Sequence, residues 1–428
     1  MELLLLISII FMLLSLLFFD KDIFHPAFLY FVGFTISGIF ALYNLLKWNY
    51  IISFETQICF CVSWLSFFLG CLFAKGLIKR KCFSFVEIET IKVDRLVCWF
   101  FIIVNLLITF LLYRKILSSL GLVSSQLSNG VNAMGYVVKD SDFEFGGLLT
   151  QLVKISKGCA FVYSYIFINN ILSFKKITLK TLRRNFIFLI PLLIYLFQCL
   201  IKGSRFTMLA IFIAVAFYYY LLIQKKSGWK YKANISTLLK ITLAIIAVMI
   251  VFWLGKGAVG RTSELDFFDY ISQYIGGSYA LLNSYIQQPV DRGIETFSGL
   301  VTSLNKIGLT NIEVLAYHEF RFSNTGILLG NAYSAIRNYY HDFGYIGVII
   351  IDFCIGFVFS HWYGRIQRSS RSIMPFSHIL YGSLIYTIVF QFFSDYLLAR
   401  LSIGLFIEVF VMYLIYCIVI RKRLKIRK

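Results

Sequence analysis

The sequence predicts an all-α integral membrane protein, a polytopic bundle of about eleven transmembrane helices (about 10–12) with one large loop on the non-cytoplasmic side. Three observations lead there. Of 428 residues, 59% are hydrophobic and only 14% charged, and the mean hydropathy of +0.79 is far above what a water-facing surface tolerates. Apolar runs of about 20 residues, the length that crosses hydrocarbon, recur along the chain. Basic residues fill every second connection between those runs, the distribution that fixes membrane orientation.

The runs are, in order, 3–19, 28–46, 56–74, 96–113, 147–172, 185–201, 206–223, 238–254, 343–363, 376–393 and 401–420. The first opens Met1-Glu2-Leu3 with no basic stretch before it and no small-residue cleavage site after it, so it is expected to remain as a helix. The basic connections are 75–95, 175–184, 225–232 and 365–371, followed by the tail from Arg421 to Lys428. The net charge of +20 therefore reads as a topology signal and not as a nucleic-acid surface. It puts the C-terminus in the cytoplasm and, with an odd number of spans, the N-terminus outside. Three parts follow: 1–254, an N-terminal bundle of about eight spans with an external loop at 114–146; 255–342, a large external loop with interfacial helices; and 343–428, about three spans and a basic tail. The nine cysteines lie in or beside apolar runs and none in 255–342, so no disulfide framework is expected. Cys59 and Cys61 read as packing residues, and no metal or cofactor is assigned.

The loop 255–342 is too long for a connector, since compact connections are typically about 4–6 residues. It holds eight of the 21 acidic residues, six basic ones and two of the five histidines, His318 and His341. Its part 267–288, rich in Tyr, Ser and Gln, suits an interfacial or re-entrant helix better than a full span. Tyrosines among polar neighbours suit sugar binding, the ring covering a pyranose C–H face while neighbours bond its hydroxyls; they suit interfacial anchoring equally well.

Three constellations could carry chemistry. The turn Lys202-Gly203-Ser204-Arg205 joins two spans on the outer side, with Ser204 suited to cap the next helix. Two cations at a helix N-terminus are unfavourable unless an anion is present, so Lys202 and Arg205 point to a pyrophosphate, the alternative being side chains that snorkel to headgroups. From Asn331 onward, Asn331, Ser334, Asn338 and His341 recur at helical spacing with Arg337 beside them, giving one polar face, and Asp342-Phe343-Gly344 then breaks the pattern where the next span begins. Such a stripe can hold phosphates and sugar hydroxyls, or be a solvated face. Arg261, after Gly255, Gly257 and Gly260, can approach a phosphate closely. In the group His318-Glu319-Phe320-Arg321, Arg321 is expected in a loop-ordering salt bridge, and His318 is a further candidate.

These residues give the chain a resemblance to the O-antigen polymerases, the Wzy-type oligosaccharide repeat-unit polymerases of bacterial surface polysaccharides. The likeness covers the layout of nearly the whole chain. It is sharpest at Gly203, Ser204, Arg205 and Leu209, and at Asn331, Tyr333, Arg337, Tyr339, Tyr340, Asp342, Phe343, Gly344, Ile346 and Gly347. The resemblance implies metal-independent glycosyl transfer at the periplasmic face of the bacterial inner membrane, moving a growing glycan from undecaprenyl pyrophosphate onto the next lipid-linked unit. It also implies membrane lipids and a chain-length regulator as partners. Arg337, His341 and Asp342 are then the expected catalytic residues, with Arg205, Lys202, Arg261, Asn331 and Tyr340 binding substrate or pyrophosphate. Rival readings are an O-antigen ligase, whose histidine-bearing loop helix is matched only loosely by a region with its histidine at 341, and a lipid-linked oligosaccharide flippase, which would call for charges within the spans and small loops.

Overall fold

The computed structural model describes residues 1–78, 85–119, 146–174, 178–231, 266–290, 293–315 and 318–421. The expected span 238–254, Arg261 and most of the loop 114–146 lie outside them. The chain begins with α1 (Glu2–Phe18), α2 (Pro26–Tyr43), α3 (Leu45–Trp48), α4 (Phe54–Leu77) and α5 (Arg95–Ser119), followed by α6 (Gly147–Ser173), α7 (Leu179–Asn185), α8 (Ile190–Ile201) and α9 (Arg205–Lys226). Then come α10 (Phe267–Gln287), α11 (Ser298–Lys306), a two-stranded hairpin of β1 (Arg321–Phe322) and β2 (Leu328–Gly330), α12 (Ile336–Gln367), α13 (Phe376–Leu384), α14 (Tyr386–Val389) and α15 (Ile403–Tyr416).

The protein is an all-α, multi-pass membrane protein. Six of the described helices are long and apolar enough to cross a bilayer, and a seventh span results if the segments on either side of Leu189, bent by 57°, are taken together. Lipid-facing and buried sides separate cleanly. On α5, Leu96, Phe100, Ile103, Leu107 and Phe110 are exposed while Phe101, Asn105, Ile108 and Leu112 are buried. Local caps set several helix starts. His25 Nδ1 accepts from Ala27 N ahead of Pro26, Ser53 Oγ from Thr56 N, and Ser402 Oγ from Leu405 N.

The densest interface pairs α4 with α12, which run parallel. Tyr345 Oη donates to Glu55 O near one end, and Ser360 Oγ to Cys71 O near the other. Glycines bring the backbones together: a Cβ on Gly70 would lie 2.2 Å from Phe353 O, and one on Gly356 2.3 Å from Phe67 O. α2 packs antiparallel to α4, with Tyr30 stacked on Phe67 at 3.8 Å and Phe34 edge-on to Trp64. α10 is one continuous 21-residue helix, and it packs along the C-terminal half of α2. There Gly276 meets Ala41, Tyr279 Oη donates to Phe34 O, and Asp269 pairs with Lys47 at 2.5 Å.

These contacts give the bundle two unlike ends. At one, the basic connections meet: Val86 N donates to Lys225 O, Lys226 Nζ to Leu172 O, Lys225 Nζ to Arg371 O and Lys75 Nζ to Phe18 O. At the other lie α3, the start of α4, the first turn of α9 and residues 293–315 and 318–335. We call them the basic end and the loop end.

Candidate functional site

The loop end is organised around Arg337. The helix expected from Asn331 starts only at Ile336, because residues 331–334 leave the β-hairpin as irregular chain after Gly330 (φ +98°) and Ala335 is the turn that leads in. Ser334 Oγ then accepts from Ile336 N. Much of the polar face is turned inward: Ser334, Arg337 and Asn338 are buried, Arg337 completely. Its guanidinium lies between the rings of Tyr333 (4.0 Å) and Tyr285 (4.2 Å). Arg337 Nε and Nη2 bond Glu295 at 3.1 and 2.8 Å, and Nη2 also bonds Glu319 at 2.8 Å.

Burial works against both carboxylates being charged, but their partners outweigh it. His318 and Arg337 hold Glu295 below the usual carboxylate range, and Arg337 takes Glu319 down to about 2. Burial pushes the Tyr285 and Tyr333 hydroxyls up. Arg321 pairs with Glu319 at 3.0 Å and donates to Ser284 and Gln288 O, so it ties the hairpin to the end of α10.

The other sequence candidates distribute around this core. His341 uses both ring nitrogens, Nδ1 with Tyr285 Oη at 2.6 Å and Nε2 with Gly293 O at 3.0 Å. Asp342 accepts from Glu295 N (3.1 Å) and Thr296 N (2.7 Å), holding the strand of chain that carries Glu295. Asn331 donates to His318 O, and Tyr340 packs edge-on against Tyr345, away from Arg337. His318 stands apart: its Nδ1 is 3.4 Å from Glu295 Oε1, longer than a good hydrogen bond, and its side chain keeps 18% of its exposure.

A second cluster lies beside the turn 202–205. Lys157 pairs with Glu408 at 2.6 Å, and Lys154 and Lys202 lie within electrostatic reach of both. Burial depresses the Lys202 ammonium, with Lys157 adding to the effect. Among the described residues, three ammonium groups thus lie near the Glu408 carboxylate, Lys157 paired with it directly. Arg205 is buried and donates to Tyr270 Oη at 2.9 Å, while Phe206 stacks on Tyr396 at 4.1 Å. Ser204 bonds Thr207 Oγ1 instead of capping a backbone N–H. The segment 390–402 joins the two clusters. Gln391 O accepts from Ser334 Oγ and Ala335 N on one side, and Arg400 donates to Tyr386 Oη on the other.

Sequence reading missed Glu295, Lys154 and Lys157. The lysines carried a signal, two cations three residues apart on one helix within an apolar run. Glu295 carried none, since its partner lies 42 residues away. No family model, curated protein or solved structure matches the chain.

Proposed function

We propose that this protein is a lipid-carrier-dependent glycosyltransferase that polymerises oligosaccharide repeat units of a bacterial surface polysaccharide, taking undecaprenyl-pyrophosphate-linked substrates at its loop end. In this reading the chain crosses the inner membrane about eleven times, with the basic end in the cytoplasm and the loop end in the periplasm. The observation that carries it is the gathering of Lys154, Lys157 and Lys202 around Glu408, at the end of the bundle where, in this reading, a pyrophosphate headgroup sits.

The reaction needs two things. An acceptor hydroxyl attacks the anomeric carbon while the bond from that carbon to the pyrophosphate breaks, and the departing pyrophosphate keeps the electron pair. The lysine cluster, with Arg205 behind it, neutralises that leaving group. The hydroxyl proton goes to a base. His318 is the base in this reading: its Nδ1 faces Glu295 Oε1 at 3.4 Å, a loose histidine–carboxylate dyad that tightens when the acceptor binds at Nε2. Arg337 supports that dyad by fixing Glu295, while His341 and Asp342 hold the surrounding backbone.

The test is purified protein in lipid nanodiscs supplied with lipid-linked repeat units, read as a ladder of polymer lengths. Lys202→Gln is expected to slow ladder growth about ten- to a hundredfold, the equivalent of about 1.5–3 kcal/mol for a charge-assisted phosphate contact. His318→Gln is expected to remove the acidic limb of the pH–rate profile. Wild-type protein that binds the units and never joins them refutes the reading.

A further inference from the structure

The basic end contains a cavity that the proposed reaction does not use. It measures about 620 Å³ and lies among the ends of α1, α4, α9 and α12 and the start of α2. One wall is apolar, with Leu16, Leu17 and Phe19, and Leu17 is itself 70% exposed on the flank of α1. That wall is therefore continuous with the lipid-facing surface.

The opposite wall is polar and incompletely satisfied. Gln224 is 3% exposed; its amide nitrogen donates to Tyr220 Oη (2.7 Å) and Tyr231 O (2.8 Å), but its carbonyl oxygen has no partner. Arg368 Nη2 is buried and also lacks one. Lys21, Lys75 and the carboxylate of Asp20 line the same space, and Lys75 also donates to Phe18 O, so with Arg368 three cations face Asp20 and Asp22. Asp22 does not compensate these cations, because its carboxylate is engaged by Tyr220 (2.8 Å), Tyr363 (2.7 Å), Gln367 (3.0 Å) and Phe24 N (3.0 Å). His25 adds no charge, since burial and then Lys75 hold its imidazole well below its usual range.

A buried guanidinium N–H without an acceptor calls for an anionic oxygen, and a buried amide oxygen without a donor calls for a hydroxyl. Both face a space bordered by acyl-facing leucines at the ends of spanning helices, where acidic headgroups meet basic pockets between helices. We propose that this cavity binds the headgroup of an acidic, hydroxyl-bearing phospholipid, its phosphate on Arg368 and Lys75 and its hydroxyl on the Gln224 carbonyl.

The test is thermal unfolding of the purified full chain in detergent, with phosphatidylglycerol, phosphatidylcholine or inorganic phosphate added in turn. Phosphatidylglycerol is expected to raise the midpoint, and the other two to leave it unchanged. Arg368→Gln should lose the increment and Arg368→Lys should keep most of it. Arg365→Gln, at an exposed arginine on the same helix end, should keep all of it. Native mass spectrometry should find phosphatidylglycerol retained on the wild type and on Arg368→Lys, which decides the matter even if Arg368→Gln fails to fold. Equal stabilisation by phosphatidylcholine, equal stabilisation by inorganic phosphate, or an Arg365→Gln loss as large as that of Arg368→Gln would each overturn the proposal.

Discussion

At the scale of the residue, Arg337 is a buried charge that organises its surroundings. Its charge is shared between Glu295 and Glu319 and its planar face is covered by two tyrosines, so its first consequence is the shape of the loop end. Arg337→Met leaves Glu295 charged and buried without its partner, which costs about 3–5 kcal/mol. The companion change Glu295→Gln should recover a good part of that loss, and a double-mutant cycle by thermal unfolding measures it. Acid should act on the same group. Glu319 is held at about 2 against an ordinary 4.5, so its contribution is complete above 4.5 and is lost as pH falls toward 2. Melting followed across that window is expected to decline in the wild type and to flatten in Glu319→Gln. The residue types of this site were legible in the sequence, as were the positions of Arg337 and His318. Their pairing was not, because the charged partners Glu295 and Glu319 lie 42 and 18 residues from Arg337 and pairing depends on a path that spacing alone does not define.

At the scale of the element, Gly344 separates the loop-end turns of α12 from its membrane stretch. Its φ of +61° and ψ of −156° fall in a region that only glycine occupies readily, and a Cβ there would meet nothing within 4 Å. The requirement is therefore conformational and not steric. Gly344→Ala should cost about 1–3 kcal/mol through the backbone alone, whereas Gly356→Ala should act through the crossing with α4 and respond to a compensating truncation there. Unfolding midpoints of the two variants in detergent, each with and without Phe67→Ala, distinguish these causes. The sequence announced the break, since Asp342-Phe343-Gly344 interrupts the polar stripe there. It misjudged the stripe's beginning. Helical spacing extends back to Asn331, but the stretch that leaves the hairpin stays irregular up to Ala335, and tertiary pairing overrides local periodicity.

At the scale of the whole molecule, the arrangement of basic connections was the most legible feature, because charge placement is written residue by residue and needs no knowledge of packing. Connections far apart in the chain do gather at one end. With a membrane-impermeant thiol reagent, Asn311→Cys and Lys230→Cys should label from opposite sides of the membrane; labelling of both from one side would refute the two-ended arrangement. Helix partnership was not legible, because residues such as Ser63, Asn105 and Gly356 mark a packed side of a helix without naming the helix it packs against.

The parallel seam between α4 and α12 also carries a history. Cys71 and Gly356 touch across 285 residues of chain, so the first partner is made long before the second. At roughly 5–20 residues per second, α4 waits roughly 15–60 seconds in the membrane with its glycine face uncovered. During that interval the unfinished bundle depends on the insertion machinery or on neighbouring lipids to keep the groove from being filled by another protein. A chain cut before α12 remains in that state for good and becomes a substrate for quality-control proteolysis, however well its first helices have inserted.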